Sequence, residues 1–145
     1  LQMRDPKGNE NNCREYDIDT SREHWEKKQE SQLKRLKHIL SKFVPEGTPL
    51  PQAATFPELW SAIEVLMKQH QCNTKPIRLK LIYNKAGYLA VPAYVPFMES
   101  MTVAAEQSKL KLNPDFDTLV RPQKSNPADV MSAPAAAGGD APFAF

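Results

Sequence analysis

The sequence predicts an α+β protein with two helices, a small sheet and a C-terminal tail. The segments 20–43 and 55–70 repeat apolar residues at helical spacing. The segment 75–97, KPIRLKLIYNKAGYLAVPAYVPF, alternates apolar and polar residues around a glycine, as β-hairpins do. From 113 to 145 the chain is rich in prolines and small residues without such a period. Ordering that stretch would bury little apolar surface, so we expect a flexible tail there.

The N-terminal residues predict two short strands joined by a turn. Residues 1–4 are expected to end a strand, and DPKG at 5–8 has the proline and glycine of a tight turn. CREYDI at 13–18 alternates in the manner of a half-buried strand. We therefore expect strands on both sides of the turn.

The first helix is predicted over 20–43. Thr20 and Glu23 have the spacing of a capping box, and Pro45 stops the helix. Its apolar face is expected to contain Trp25, Leu33, Leu36, Ile39, Leu40 and Phe43. The opposite, cationic face is expected to contain Lys27, Lys34, His38 and Lys42, with Arg35 beside them.

The second helix is predicted over 55–70. Thr55 and Glu58 repeat the capping-box spacing, and Pro57 lies in the first turn, where a missing amide hydrogen costs nothing.

The hairpin is predicted to have strands at 76–84 and 88–95, with Gly87 in the turn. Ile77, Leu79 and Leu81 would face the core, while Arg78 and Lys80 project the other way. Pro92 places the return strand at a sheet edge. A short helix is expected after Pro96.

Composition narrows the function classes. The chain has 145 residues and a net charge of +2. Within residues 20–88, however, there are twelve Lys and Arg and six Asp and Glu. This excess of positive charge favours binding of a polyanion. Cys13 and Cys72 are isolated and have no zinc-ligand spacing. No apolar run spans a bilayer, so we expect a cytoplasmic protein without a membrane partner.

Enzymatic motifs are missing from the sequence. With five glycines, it contains neither a phosphate-binding glycine loop nor a nucleophile elbow. Asp17 and Asp19 form the best carboxylate pair, but their position before a helix favours a role at its N-terminus. We therefore expect a protein that is not an enzyme and needs no cofactor.

Basic and aromatic residues of the hairpin and the first helix suggest a nucleic-acid site. Cations can neutralise phosphates while tyrosines stack on bases. The alternative is that the tyrosines pack on the sheet and the cations only keep the surface soluble. A second candidate site is the chain's last stretch, where Asp140, Pro142, Phe143 and Phe145 could enter a partner's pocket.

The order of these features, with KPIRLKLIYNKAGYLAVPAYVPFMESM followed by a tail ending GGDAPFAF, resembles phage-type single-stranded DNA-binding proteins. The resemblance implies an OB-fold, a small five-stranded barrel, over residues 1–112, with both helices as an insertion. It implies a separate tail over 113–145, whose tip recruits replication or recombination proteins. About four strands are visible where the barrel needs five. If residues precede Leu1, the missing strands belong there.

The expected function is sequence-nonspecific binding of single-stranded DNA in phage DNA replication or recombination, in the host cytoplasm. Arg78, Lys80 and Lys85 are expected to contact phosphates, with Lys34 and Arg35 as secondary contacts. Tyr83, Tyr88 and Tyr94 are expected to stack on bases. The alternative is a structural or adaptor protein of a viral or large intracellular assembly, in which the hairpin adds to a partner's sheet.

Overall fold

The computed structural model describes residues 1–123. This part of the chain is α+β, with two helices and small antiparallel sheets. In chain order its elements are β1 (Gln2–Arg4), β2 (Glu10–Asn12), α1 (Trp25–Leu40), α2 (Phe56–Gln69), β3 (Ile77–Leu79), β4 (Ile82–Tyr83), β5 (Leu89–Ala90) and β6 (Met98–Ser100). Short 3-10 turns lie at Cys72–Thr74 and Ala105–Gln107. Within residues 1–123, no helix is long and apolar enough to cross a bilayer.

The strands form three two-stranded ladders. β1 pairs with β2, β3 with β6, and β4 with β5, all antiparallel. No ladder among the described residues joins these pairs into one sheet. The α+β class is therefore as predicted, and the OB barrel stays a proposal.

The N-terminal hairpin is tighter than the sequence suggested. The Asp5 carboxylate accepts hydrogen bonds from the amides of Lys7 (2.9 Å) and Asn9 (2.8 Å), which fixes the turn. β2 therefore starts at Glu10, and the strand expected over 13–18 is wrong. In that segment the Tyr16 carbonyl accepts a hydrogen bond from the Gln32 side chain, and the Glu15 carboxylate accepts one from Arg35, both on α1.

α1 begins four residues later than the capping-box spacing of Thr20 and Glu23 predicted, since its N-cap is His24 rather than Thr20. The Asp19 carboxylate accepts from the Ser21 amide (3.0 Å) and from its hydroxyl (2.6 Å), and the Arg22 amide donates to the Asp19 carbonyl. This local turn competes with the helix. The N-cap is His24, with a left-handed φ of 63° and no side-chain cap.

α2 follows the prediction. The Thr55 hydroxyl accepts from the Glu58 amide (3.4 Å), and the Glu58 carboxylate accepts from the Thr55 amide (3.2 Å). Both halves of the capping box are therefore present, and the helix runs over Phe56–Gln69.

The core lies where the two helices meet the segment before β6. Phe97 is fully buried, and Met98 is 1% exposed. Around them pack Cys13, Leu36, Ile39, Leu40, Phe43, Ile63 and Met67. His38, expected on the cationic face, instead turns inward, and its Nε2 accepts hydrogen bonds from the amides of Phe97 (3.1 Å) and Met98 (3.0 Å). The imidazole thus joins α1 to the start of β6.

The strands predicted over 76–84 and 88–95 do not pair with each other along their whole length. Only β4 and β5 pair across the turn that joins them, whereas β3 pairs with β6, with Arg78 opposite Glu99. The short helix expected within 97–110 is reduced to the 3-10 turn at Ala105–Gln107, because β6 occupies Met98–Ser100. The apolar Phe97 and Met98 enter the core, and the Phe97 carbonyl accepts from the Lys80 amide (2.8 Å), which favours a strand there.

Residues 113–123, which the sequence assigned to the tail, contact the rest of the protein. Asp117 is 4% exposed, and the Thr118 carbonyl accepts from the Tyr83 amide (2.9 Å). Residues 113–118 are therefore held to the rest of the described chain by these contacts. The predicted tip, with Asp140, Pro142, Phe143 and Phe145, lies outside the described residues.

Candidate nucleic-acid interface

Arg78 forms an internal ion pair. Its guanidinium lies 2.7 Å from the Glu99 carboxylate, which belongs to the paired strand β6. Hydrogen bonds from the Ser108 hydroxyl (2.6 Å) and the Lys109 amide (3.0 Å) also reach this carboxylate. The Ser108 hydrogen bond is the largest cause that lowers the pKa of Glu99, and the Lys109 amide and Arg78 add to it. The positive charge of Arg78 is therefore matched within the fold.

Lys80 is buried rather than presented to a ligand. Its ammonium lies 2.7 Å from Asp117, and the two side chains are 6% and 0% exposed. Tyr94 completes the cluster, because its hydroxyl donates to Asp117 and its ring centroid lies 4.8 Å from the Lys80 ammonium. The hydrogen bond from the backbone amide of Asn113 (2.7 Å) is the largest cause of the lowered pKa of Asp117, and the hydrogen bond from Lys80 comes second. Lys80 therefore fastens the 113–118 segment to the hairpin.

Arg35 also has a structural position. Its guanidinium donates to the Glu15 carboxylate (2.7 Å) and to the Pro92 carbonyl (2.6 Å). It also lies 5.1 Å from the centre of the Phe97 ring. Arg35 thus ties α1 to the segments on both sides of it. A phosphate at this guanidinium would have to compete with Glu15.

Lys34 and Lys85 are the two predicted cations that are exposed. Within residues 1–123 neither has a carboxylate within ion-pair distance. Lys34 lies on α1, whereas Lys85 lies in the turn between β4 and β5. The structure therefore keeps Lys85 beside the tyrosines of the hairpin turn, and places Lys34 on a different element.

The three tyrosines differ in exposure and in partners. Tyr88 is 59% exposed at the start of the return strand. Tyr83 is half-buried, with the guanidinium of Arg121 5.9 Å from its ring centre. Tyr94 is 43% exposed, but its hydroxyl is held by Asp117. Tyr88 is therefore the most exposed residue of the three.

Arg121 was not foreseen from the sequence. Its Nε donates to the Gly87 carbonyl (3.0 Å), which places the guanidinium over the hairpin turn. Gly87 has a φ of +81°, which favours glycine, and a Cβ there would lie 3.5 Å from the Pro122 carbonyl oxygen. The sequence offered one signal, a basic residue in a stretch that was assigned to the tail.

Tyr83, Lys85, Tyr88 and Arg121 together form what we call the hairpin-tip surface. It combines two exposed cations with one half-buried and one exposed tyrosine. The two segments that build it, 83–89 and 118–123, contain no acidic residue. An anion approaching this surface meets cations that no carboxylate of these segments neutralises.

Comparisons of the chain with protein-family models, with curated proteins and with solved structures find no match.

Proposed function

We propose that this protein binds single-stranded DNA without sequence preference, through the hairpin-tip surface. One observation carries the proposal: Arg121 contacts Tyr83 and the turn that contains Lys85, and neither contributing segment has an acidic residue. Cations beside aromatic rings are the combination that single-strand-binding sites use for phosphates and bases. The proposed function is binding alone, and it involves no catalysis by the described residues.

The residues of the surface have distinct roles in it. Lys85 and Arg121 contact phosphates, since both side chains are exposed. Tyr88 stacks on a base, an interaction worth about 1–3 kcal/mol per base in such sites. Tyr83 supports Arg121 through its ring, and this contact orients the guanidinium. Compared with the sequence expectation, the site moves from Arg78 and Lys80 to the hairpin turn.

The wider role is part of the same proposal. The resemblance to phage-type single-stranded DNA-binding proteins favours DNA replication or recombination in a host cytoplasm as the process served. The tip residues Asp140, Pro142, Phe143 and Phe145 would recruit replication or recombination proteins. An OB fold is part of the same proposal.

The direct test is a titration with labelled oligothymidine, followed by fluorescence anisotropy at low and moderate salt, with duplex DNA as the control. The proposal predicts tighter binding of the single strand than of the duplex, and affinity that falls with salt because counterions are released. Lys85→Ala/Arg121→Ala should weaken binding, whereas Lys109→Ala/Lys111→Ala removes the same charge elsewhere and should not. Failure of the wild-type chain to bind at micromolar concentration in low salt would exclude the proposal.

A structural or adaptor role is the second candidate, and an exposed apolar stretch favours it. Phe116 and Val120 are both 80% exposed, although each would gain from burial against a partner. This candidate predicts no binding of oligothymidine by the wild-type chain at any salt concentration. The titration above therefore separates the two functions.

A further inference from the structure

A second concave surface lies beside the first half of α1. It is an open groove of about 720 Å³ between residues 15–24, that half of α1, and Val91 and Ala93. We call it the α1 groove. The Arg35–Glu15 ion pair, with side chains 16% and 13% exposed, lines it on one side. The shape therefore rests on contacts inside the fold.

The exposed charges of the α1 groove favour an anion. Lys27 and Lys28 line it, and among residues 1–123 neither has a carboxylate within ion-pair distance. Asp19 also lines it, but Ser21 and Arg22 already satisfy its carboxylate. Asp17 also lines the α1 groove and is exposed, so its negative charge offsets part of the positive charge of the two lysines. The balance beyond the paired groups is two cations against one acid.

An aromatic residue accompanies these cations. Tyr16 lines the α1 groove and is 69% exposed. The Tyr16 backbone carbonyl accepts a hydrogen bond from the side-chain Nε2 of Gln32 (2.6 Å), which anchors this part of the backbone to α1. The α1 groove thus repeats the combination of exposed cations and an exposed ring that the hairpin-tip surface shows.

The two surfaces are adjacent along the chain. Tyr88 directly precedes β5, and Val91 directly follows it. From Tyr88 to Ala93 the backbone spans at most about 17 Å, at about 3.3 Å per residue. Stacked nucleotides of one strand rise about 3.4 Å each, so about five nucleotides cover that distance.

We propose that a single DNA strand bound at the hairpin-tip surface continues along residues 91–93 into the α1 groove. There Lys27 and Lys28 neutralise phosphates, and Tyr16 stacks on a base. This inference rests on the proposed function and extends it, because it defines a second subsite and the path between the two. It makes affinity depend on the length of the strand.

The test compares (dT)4 with (dT)12, because twelve nucleotides are long enough to extend from the hairpin-tip surface into the α1 groove, whereas four stacked nucleotides rise only about 14 Å. Affinities are measured by anisotropy for (dT)12 and by amide NMR shifts for weakly bound (dT)4. Lys27→Ala/Lys28→Ala should remove most of the advantage of (dT)12 and leave (dT)4 unchanged. For (dT)12 binding to this variant, the slope of log K against log salt should be less steep than for the wild-type chain by about 1.4, which is about 0.7 for each lost phosphate contact. Asp17→Asn should strengthen (dT)12 binding.

The matched control is Lys37→Ala/Lys111→Ala, which removes the same charge at exposed positions that do not line the α1 groove and that have no carboxylate within ion-pair distance among residues 1–123. It should keep the length dependence of the wild-type chain. If Lys27→Ala/Lys28→Ala binds (dT)12 as tightly as this control does, the α1 groove is not a subsite, even where Tyr88→Ala weakens both oligonucleotides. If neither oligonucleotide binds the wild-type chain, the proposed function itself is wrong.

Discussion

At the scale of single residues, this chain uses several of its cations to hold itself together. Arg35, Arg78 and Lys80 each face a carboxylate at 2.7 Å. Burying a charge requires such a partner, and breaking the pair costs more than its formation gains. The excess of positive charge in the centre of the sequence is therefore partly internal. The exposed part of it, including Lys85, is what a ligand can contact.

His38 makes stability depend on pH. Burial lowers the pKa of its imidazole to about 4 from the ordinary 6.5, and Lys42 and Arg35 add to the shift. The neutral ring accepts two backbone amides, so protonation opposes folding. Because the folded pKa lies below the unfolded one, the stabilisation is complete above about pH 6.5. It is lost as the pH falls toward 4.

Urea denaturation at pH 7 and at pH 4.5 measures this effect. The free energy of unfolding should fall by about 1–2 kcal/mol, less than the full shift would give, since the ring is only partly buried. His38→Gln keeps an acceptor for the amides but cannot titrate, so its stability should change less over the same range. Equal losses in the wild type and in His38→Gln would show that other groups cause the effect.

The sequence indicated some of these residues and missed others for one physical reason. Alternation along a strand shows that Lys80 leaves the core face on which Leu79 and Leu81 were expected. It does not show what covers the other face, and here the 113–118 segment does so. Arg121 was missed because its contact with Gly87 joins residues 34 positions apart. Pairings of this kind depend on the tertiary fold.

At the scale of elements, the same four-residue pattern behaves differently at two places. Thr55 and Glu58 form a complete capping box at the start of α2. Thr20 and Glu23 have the same spacing, yet α1 begins at Trp25. The difference is Asp19, which captures the next backbone groups in a turn of its own. A capping pattern thus predicts a helix start only when no neighbouring side chain competes for the amides.

This contrast supplies a matched pair of variants. Thr55→Ala should lower the free energy of unfolding by about 1 kcal/mol, because it removes an acceptor for a helix amide. Thr20→Ala should leave it within about 0.5 kcal/mol, as for most exposed substitutions. Urea denaturation of both variants gives the comparison. A loss of similar size in Thr20→Ala would mean that α1 starts at the predicted cap after all.

Helices and strands differ in how well the sequence predicts them. α1 and α2 were predicted because the spacing of their apolar residues, and for α2 also its capping box, is a signal contained within about twenty residues. The strands were placed less well because their partners are distant. β3 pairs with β6, with Arg78 opposite Glu99, rather than with the nearer return strand of the hairpin. Alternation indicates a strand but not its partner.

At the scale of the whole molecule, residues 113–123 complete the hairpin region. They supply Asp117 to Lys80, a carbonyl to the Tyr83 amide, and Arg121 to the hairpin turn. The sequence placed these residues in the tail because they have no periodicity. Their anchoring depends on single side chains and backbone groups, which composition does not reveal.

Two truncations test this anchoring. A chain ending at Leu112 leaves Lys80 without Asp117, and removing one partner of a buried ion pair destabilises the folded state. It should therefore unfold at lower urea concentration than a chain ending at Gln123, which keeps the pair. Identical unfolding curves for the two chains would contradict the role given to this segment.

The central claim is that the hairpin-tip surface binds single-stranded DNA by stacking on Tyr88. Its most direct test is the affinity of Tyr88→Ala and Tyr88→Phe for labelled (dT)12, with circular dichroism to confirm that both variants fold. Since stacking contributes about 1–3 kcal/mol per base, Tyr88→Ala should bind about 5 to 150 times more weakly than the wild type. Tyr88→Phe keeps the ring and should bind nearly as well as the wild type. Wild-type affinity in a folded Tyr88→Ala would contradict the claim.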